Sequence, residues 1–421
     1  MPIVSKTRRQ TDYNLFPPSV PIVIDNGASY FRIGWAGETE PRVVFRNIVQ
    51  RPRHKATGET VTIVGDQDPA MMKFFDCTRS GPRSAFDSNV VYQFEIMEYI
   101  LDFAFDRLGA SGSAIDHPIL ITECVGNPVY SRCKMAELLF ETYGVPSVAF
   151  GVDAAFSYKY NQRHGKCQKD GIVICPGFTT THTIPAEELK LEHCYIAPDY
   201  VSEARKFQVT QALRKARGEP KDEADEFEEN TDSNEKYPLI NVPDNMLTPE
   251  QIKDKKKQLF LKTTTEGRLR ARQKRNEEEL EKERRNQLEE ERRRCPEILF
   301  HPNLVGIDQV GLDEMAGASI RRLPHDDKEL EERLTSSILM TGGCSLVPGM
   351  KERLECGIRM IRPCGSTINV VQAKDPVLDA WRGASAFAAD LNFLGNAFTK
   401  KDYYEKGEEW LRRYQIRYNT L

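Results

Sequence analysis

Short apolar runs alternate with helical patterns in two separate stretches of the chain. The first stretch covers about residues 20 to 185 and the second about 295 to 398, and both mix strand and helix periodicities. This alternation predicts an α/β protein with two globular parts. Between them, from about 219 to 294, aromatic and β-branched residues become sparse and charge becomes dense, as in an insert or linker.

The charged segment carries the signals of a long helix. Pro249 stands at a helix start, and only Gly267 interrupts the pattern before Pro296. Two interpretations stay open, a solvated surface helix and a docking element. For the docking role, the candidate partner-binding or DNA-binding residues are the basic ones, Lys255, Lys256, Lys257, Arg272, Lys274, Arg275, Arg292, Arg293 and Arg294.

Composition narrows the class of protein. With 421 residues, of which 39% are hydrophobic and 29% charged, the chain is long enough to bury a large core in two lobes. The net charge of -4 argues against a uniformly basic nucleic-acid coat, and no apolar run is long enough to predict a membrane span. Ten cysteines without a Cys-x-x-Cys pair favour reduced thiols and therefore the cytosol or nucleus.

The first candidate site is a glycine turn between two apolar runs, residues 22–24 and 30–34. A turn at Gly27 can direct the backbone N–H groups of Asn26 and its neighbours at a phosphate. Asp25 is suited to a hydrated magnesium ion and Arg32 to phosphate oxygens. Taken alone, Asp-Asn-Gly is also a common hairpin turn.

Two later segments complete the pattern. Residues 171–185 repeat the strand, glycine turn, strand order around Gly177, so that two facing turns would hold the phosphates of a nucleotide between them. Residues 337–340 predict a strand that leads into Gly342 and Gly343, and a helix is predicted from 348 to 361. A flat base would fit against the bare backbone of the glycine pair.

The order and spacing of these three units resemble the actin family. Further segments carry the same resemblance, which covers about two thirds of the chain: residues 41–45, 51–54, 117–123, 127–128, 140–142, 295–300 and 381–385. The resemblance implies a two-lobed, duplicated ribonuclease-H-like fold with a nucleotide between the lobes. The candidate nucleotide-binding residues are Asp25, Asn26, Gly27, Arg32, Gly177, Lys190, Gly342 and Gly343.

Departures from the family pattern argue against catalysis. Where actin-like enzymes have a glutamine and two acidic residues, this chain has Asp153, Cys175 and Phe178, and Ala28 replaces a serine. A thiol and a phenyl ring are poor ligands for a hard cation. We therefore expect no catalytic residues, little or no ATP hydrolysis, weak magnesium binding, and ATP or ADP as a structural ligand. The alternatives are an active actin-like ATPase or cytoskeletal protein, and a helical adaptor with a vestigial fold.

Part of the second lobe is predicted to be missing, because the chain passes from Pro185 directly to residues 186–189 where actin-like proteins continue with further strands and a helix. The predicted organisation is an N-terminal extension, a first lobe, a partial second lobe, a charged helical insert, the continued second lobe and a tail. Their predicted boundaries are 1–19, 20–160, 161–207, 208–294, 295–400 and 401–421.

The charged insert and the residues around 67–81 and 92–108 most resemble a nuclear actin-related subunit of INO-type chromatin remodellers. The resemblance implies a scaffold that binds the remodeller motor ATPase and a small partner subunit, contacts nucleosomal DNA and histones, and supports transcription regulation and DNA repair. It implies a nuclear location, with the cytoplasm as a second one, no membrane association and no filaments. The acidic residues 223–229 suit histones, and the basic clusters suit DNA phosphates.

Several conspicuous side chains are better explained as structural. His54, His182 and His301 stand alone, without a second ligand at metal-binding spacing. Trp381 is expected in the core, and Cys175 is expected to be buried and inert because an apolar strand precedes it.

Overall fold

The computed structural model describes residues 7–66, 69–78, 80–112, 114–177, 181–186, 281, 284, 296–321, 328–414 and 416. Phe178, Lys190 and all nine basic residues assigned to the charged insert lie outside this part of the chain. Two residues of the predicted long helix, Glu281 and Arg284, are described and are helical.

The first sheet has six strands, whose spatial order is β16-β11-β10-β1-β2-β3. Their bounds are β1 Ile22–Asn26, β2 Tyr30–Trp35, β3 Val43–Arg46, β10 Ile119–Glu123, β11 Ser147–Val152 and β16 Phe398–Thr399. β1, β2 and β3 form an antiparallel meander, while β10 and β11 extend the sheet in parallel from β1. Ile22, Val23 and Ile24 are all fully buried, as expected for a central strand covered on both faces.

The second sheet repeats part of this plan. Its order is β13-β12-β14-β15, with β12 Gly171–Pro176, β13 Thr181–Ala186, β14 Ile338–Met340 and β15 Val370–Gln372. An antiparallel hairpin is again followed by two parallel strands. Within the described residues β13 forms the edge, and no strand occupies the position that β3 has in the first sheet. The α/β class and the duplicated design are thus confirmed.

Besides the helical residues Glu281, Arg284 and 296–297, ten α-helices lie in the described part of the chain. Their bounds are α1 Pro69–Met72, α2 Phe94–Leu108, α3 Val129–Glu137, α4 Asp153–Arg163, α5 Leu312–Arg321, α6 Lys328–Thr335, α7 Met350–Ile361, α8 Asp379–Ala388, α9 Phe393–Asn396 and α10 Lys400–Arg413. A π-helix, Leu138–Thr142, continues α3, and 3-10 helices cover Tyr13–Leu15, Pro302–Val305 and Gly343–Leu346. None of the helices described is both long and apolar enough to span a membrane.

Helix α4 connects the two sheets. Its Phe156 packs in one apolar cluster with Val23 and Trp381, whereas Tyr158 packs in another cluster with Val173 of the second sheet. Helix α8 crosses α4 so closely that a Cβ on its residue Gly383 would lie 2.1 Å from the Phe156 carbonyl oxygen. Only glycine fits this crossing.

Smaller elements complete the first lobe. Three two-stranded sheets pair β4 Val49–Gln50 with β6 Ile63–Val64, β5 Arg53–His54 with β7 Phe75–Asp76, and β8 Phe86–Asp87 with β9 Val90–Val91. The N-terminal segment packs on the same lobe, where the Phe16 ring stacks on Trp35 with 4.1 Å between centroids. Trp381 is fully buried, as predicted.

The C-terminal residues return to the first sheet. Phe398 of β16 pairs with Val148 of β11, and α10 begins with a capping box formed by Thr399 and Asp402. The predicted boundaries 295–400 and 401–421 did not include this return. Pairing between residues about 250 positions apart is a tertiary effect that local patterns do not show.

Two compact units divide the chain, one formed by residues 1–198 with 312–421 and the other by 199–311. Both sheets belong to the first unit. In the described part of the second unit, His301 lies 3.3 Å from Glu297, four residues earlier, and the 3-10 helix that follows ends at Gly306 in the left-handed region.

Candidate functional site

Asp25 stabilises the first glycine turn through hydrogen bonds to neighbouring strands. It lies near the end of β1 and is 4% exposed. Arg32 Nη1 on β2 donates to Asp25 Oδ2 at 2.7 Å, because residues 25 and 32 face each other in the antiparallel register. Thr122 Oγ1 on β10 donates to the other oxygen, Oδ1, at 2.9 Å. Both carboxylate oxygens therefore already have protein partners.

The turn itself is held by side chains of neighbouring strands. The Asn26 N–H donates to Thr122 Oγ1 at 3.0 Å, and the buried Asn47 amide donates to Asn26 Oδ1 at 3.0 Å and to the Gly27 carbonyl at 2.9 Å. A Cβ on Gly27 would lie 2.9 Å from the Tyr30 carbonyl oxygen, so the tight turn requires glycine. The turn is a rigid structure stabilised by its own lobe.

The second glycine turn contacts the loop after β14. Gly342 has φ +89°, and a Cβ there would lie 2.7 Å from the Pro176 carbonyl and 3.1 Å from Cys175 Sγ. Cys344 Sγ donates to the Gly177 carbonyl at 3.3 Å. Gly342 thus allows two loops of the second lobe to touch, whereas a Cβ on Gly343 would have no atom within 4 Å.

Asp153 stands where the two turns approach each other, as the first residue of α4. Burial, and secondarily the charge of Asp25, raise the pKa of Asp153 to about 7, although its Oδ1 accepts a 2.7 Å hydrogen bond from the Ala154 N–H. Burial also raises the pKa of the Cys175 thiol well above its usual value, and the charges of Asp153 and Asp25 add to the effect. The expectation that the pKa of Cys175 is not lowered is therefore confirmed, although the residue is partly exposed and not buried as the sequence predicted.

A small cavity lies beside this cluster. It measures about 40 Å³, which holds a few water molecules, whereas ligand pockets typically measure about 300–1,000 Å³. Its polar lining includes Asn26, Thr122, Glu123, Asn127 and Asp153. Within the described residues, no three His, Cys, Asp or Glu side chains are grouped in a way that would hold a metal ion.

The structure brings four predicted residues, Asp25, Asn26, Gly27 and Arg32, to one turn, and Gly177, Gly342 and Gly343 to the other. Lys190 is outside the described part, and the nucleotide role of the whole set stays a prediction. Arg32 contacts Asp25, a partner that the sequence pattern did not suggest.

Sequence reasoning missed Thr122 and Asn47. A signal existed for Thr122, because it follows the apolar run 119–121 and parallel strands end at the same edge of a sheet. Asn47 stands in a loop without any local pattern.

The chain is similar to proteins of the actin family. The sequence profile of the actin family, described as "Actin", matches residues 17–415. Actin-related protein 5 of Arabidopsis thaliana is 50% identical, with all of both chains covered. The human actin-related protein 5 is 29% identical over 94% of this chain and 89% of its own length. The actin-like protein arp5 of Schizosaccharomyces pombe is 22% identical over 94% and 96%, respectively.

The alignment with the Arabidopsis protein also bears on the predicted gap. It extends over 724 positions whereas this chain has 421 residues, so at least 303 positions have no residue from this chain. Because both chains are covered from end to end, these positions are internal. The alignment gives their number and not their place in the chain, so the shortened second lobe stays a prediction.

Proposed function

Since the chain is an actin-related protein that belongs to the actin family, we propose that it acts as a non-catalytic scaffold subunit of a nuclear ATP-dependent chromatin-remodelling complex. In this role it binds the remodeller motor ATPase and a small partner subunit, contacts nucleosomal DNA and histones, and serves transcription regulation and DNA repair. It does not form filaments. The likeness to actin-related proteins 5 and the altered glycine turns support the proposal.

The proposal that the chain is non-catalytic rests on the groups that are available to bind a metal ion between the two turns. Phosphoryl transfer depends on a metal ion that neutralises the phosphate charge, and magnesium requires oxygen ligands. Asp25 already accepts from Arg32 and Thr122, and Cys175 offers a neutral sulfur. The described residues therefore fit magnesium poorly.

One feature favours the rival, an active ATPase. A carboxylate whose pKa lies near 7 is suited to act as a general base, and Asp153 is such a group. However, a base alone supplies only part of the catalysis, because the developing phosphate charge would remain uncompensated. We therefore assign Asp153 no catalytic role.

ATP or ADP remains in the proposal as a structural ligand. Turns that carry backbone N–H groups bind phosphate without a metal ion, and Gly343 leaves open backbone beside the second turn. Binding of this kind would be independent of magnesium. It would stabilise the chain by mass action without turnover.

Two assays with the purified full chain test the proposal. Phosphate release from ATP should stay at background with magnesium, and ADP should raise the melting temperature equally with magnesium and with EDTA. Asp25→Ala serves as the site variant, and Glu95→Gln, at an exposed carboxylate, serves as its control. A magnesium-dependent ATPase rate that Asp25→Ala abolishes and Glu95→Gln leaves unchanged would contradict the proposal.

A further inference from the structure

A dense group of cations lies at the C-terminal end of α4 and in the turn that leads to β12. Residues 159–169 contain Lys159, Arg163, Lys166 and Lys169 and no acidic residue. Lys374, in the loop after β15, is close to them, because its N–H donates to Asn161 Oδ1 at 2.9 Å. We call residues 163–169 together with Lys374 the basic turn.

The charges of the basic turn are not neutralised by the fold. Arg163, Lys166, Lys169 and Lys374 are exposed, and their side chains form no ion pair or hydrogen bond with the part of the chain that the structure describes. Acidic residues do follow the turn in sequence, but they have other partners. Asp170 pairs with Arg333 at 3.3 Å, and Asp375 pairs with Arg382 at 3.1 Å.

The backbone under these cations is fixed. The Lys166 N–H donates to the Asn161 carbonyl at 2.9 Å, and the Asn161 amide donates to Asp379 Oδ2 at 2.9 Å. Tyr158 donates its hydroxyl to the Gln168 carbonyl at 2.8 Å, and the Gln168 N–H donates to Ser337 Oγ at 2.9 Å. The cations are thus presented on a rigid support, which lowers the entropy cost of binding a ligand.

The side chains around the basic turn indicate which class of negatively charged partner it would bind. Protein interfaces depend on exposed aromatic and aliphatic anchors, and membrane surfaces on apolar side chains that insert. Among the described residues, the large exposed hydrophobic side chains include none from α4 or residues 163–169, and the loop of Lys374 adds only Val377, which is 37% exposed. A surface that offers cations without apolar anchors is suited to phosphates that are recognised by charge alone.

We propose that the basic turn binds the sugar-phosphate backbone of duplex DNA without sequence preference. This surface lies outside the charged insert; it adds a specific site to the DNA contact of the proposed scaffold role and rests on that proposal. A failure of the DNA-binding proposal can be distinguished from a failure of the scaffold proposal, because DNA binding is measured on free DNA with the purified chain, in the absence of any remodeller.

The test measures binding of the full chain to a fluorescent 30-base-pair duplex of arbitrary sequence over a series of salt concentrations. The variant carries Arg163→Gln, Lys166→Gln and Lys169→Gln. Each phosphate contact contributes about 0.9 to the slope of log K against log salt, so the variant should lower the slope by about 2.7 and weaken binding ~10-fold or more at low salt. Its melting temperature should change little, because the three side chains form no ion pair or hydrogen bond within the described fold and only Arg163, in the last turn of α4, interacts with a helix end.

A control variant loses the same number of positive charges elsewhere on the surface, through Lys73→Gln, Arg83→Gln and Lys401→Gln. It should retain the wild-type slope. An equal loss in both variants would show a net-charge effect, and an unchanged slope in the first variant would show that the turn does not touch DNA; either result overturns the proposal. It is also overturned if the first variant loses binding only to polyglutamate or to phosphatidylserine vesicles, because the partner is then an acidic protein or a membrane.

Discussion

Asp153 is the residue whose replacement should reveal the electrostatics of the site most clearly. The substitution Asp153→Asn removes its charge and keeps an oxygen that accepts from the Ala154 N–H. Burial raises the pKa of the native carboxyl from 3.8 to about 7. The folded protein therefore holds this proton more tightly than the unfolded chain does.

The sign of the pH effect follows from this difference. The protonated Asp153 carboxyl contributes to the free energy of unfolding. This contribution is fully present below pH 3.8 and is lost as the pH rises through about 7. A pKa that rises from 3.8 to about 7 corresponds to about 4 kcal/mol at alkaline pH. Loss of a negative charge from the first turn of α4 costs about 0.3–1 kcal/mol. The asparagine variant should thus be more stable than the wild type at pH 8 by about 3–4 kcal/mol.

Urea unfolding at pH 5 and pH 8, followed by tryptophan fluorescence, measures this difference. The gain in the free energy of unfolding should be large at pH 8 and smaller at pH 5. Glu95→Gln is the matched control, since Glu95 also stands in the first turn of a helix but is exposed. If Asp153→Asn destabilises the protein at pH 8, or if its effect is the same at both pH values, the buried-carboxylate explanation is wrong.

Three further substitutions test other parts of the structure. Gly342→Ala should destabilise by about 2–4 kcal/mol, because φ is positive and the new Cβ would meet backbone, whereas Gly343→Ala should be nearly neutral in the same urea titration. Arg32→Met should cost about 3–5 kcal/mol by leaving Asp25 buried and unpaired, and adding Asp25→Asn should recover part of that loss; additive costs would contradict the pairing. Thr399→Ala should lower the melting temperature by removing the cap of α10, a cost of about 1 kcal/mol, and an unchanged melting temperature would contradict the capping box.

Local patterns predicted the strand and turn units well. The runs 22–24 and 30–34 became β1 and β2, and the strand predicted at 337–340 became β14. The helix predicted from 348 begins at Met350, because Gly349 adopts φ +81° and is not helical. Such elements depend mainly on near neighbours in sequence, which is why sequence patterns find them.

Partner choice within the site was harder to predict. The phosphate contact of Arg32 stays a prediction, and its pairing with Asp25 was not foreseen because that contact depends on the register of the hairpin and on the burial of the carboxylate. Asn47 reaches the turn from a loop 20 residues away, and β16 returns from the far end of the chain. These contacts are set by tertiary packing, which propensity does not encode.

Co-purification from nuclei would show whether the chain is a remodeller subunit. The tagged full chain is compared with a version that lacks residues 219–294, and the proteins recovered are identified by mass spectrometry. The scaffold role predicts that the full chain recovers a remodeller motor ATPase, and loss of the motor on deletion would place the docking site in the insert. Recovery of no remodeller motor with the full chain would contradict the proposed function.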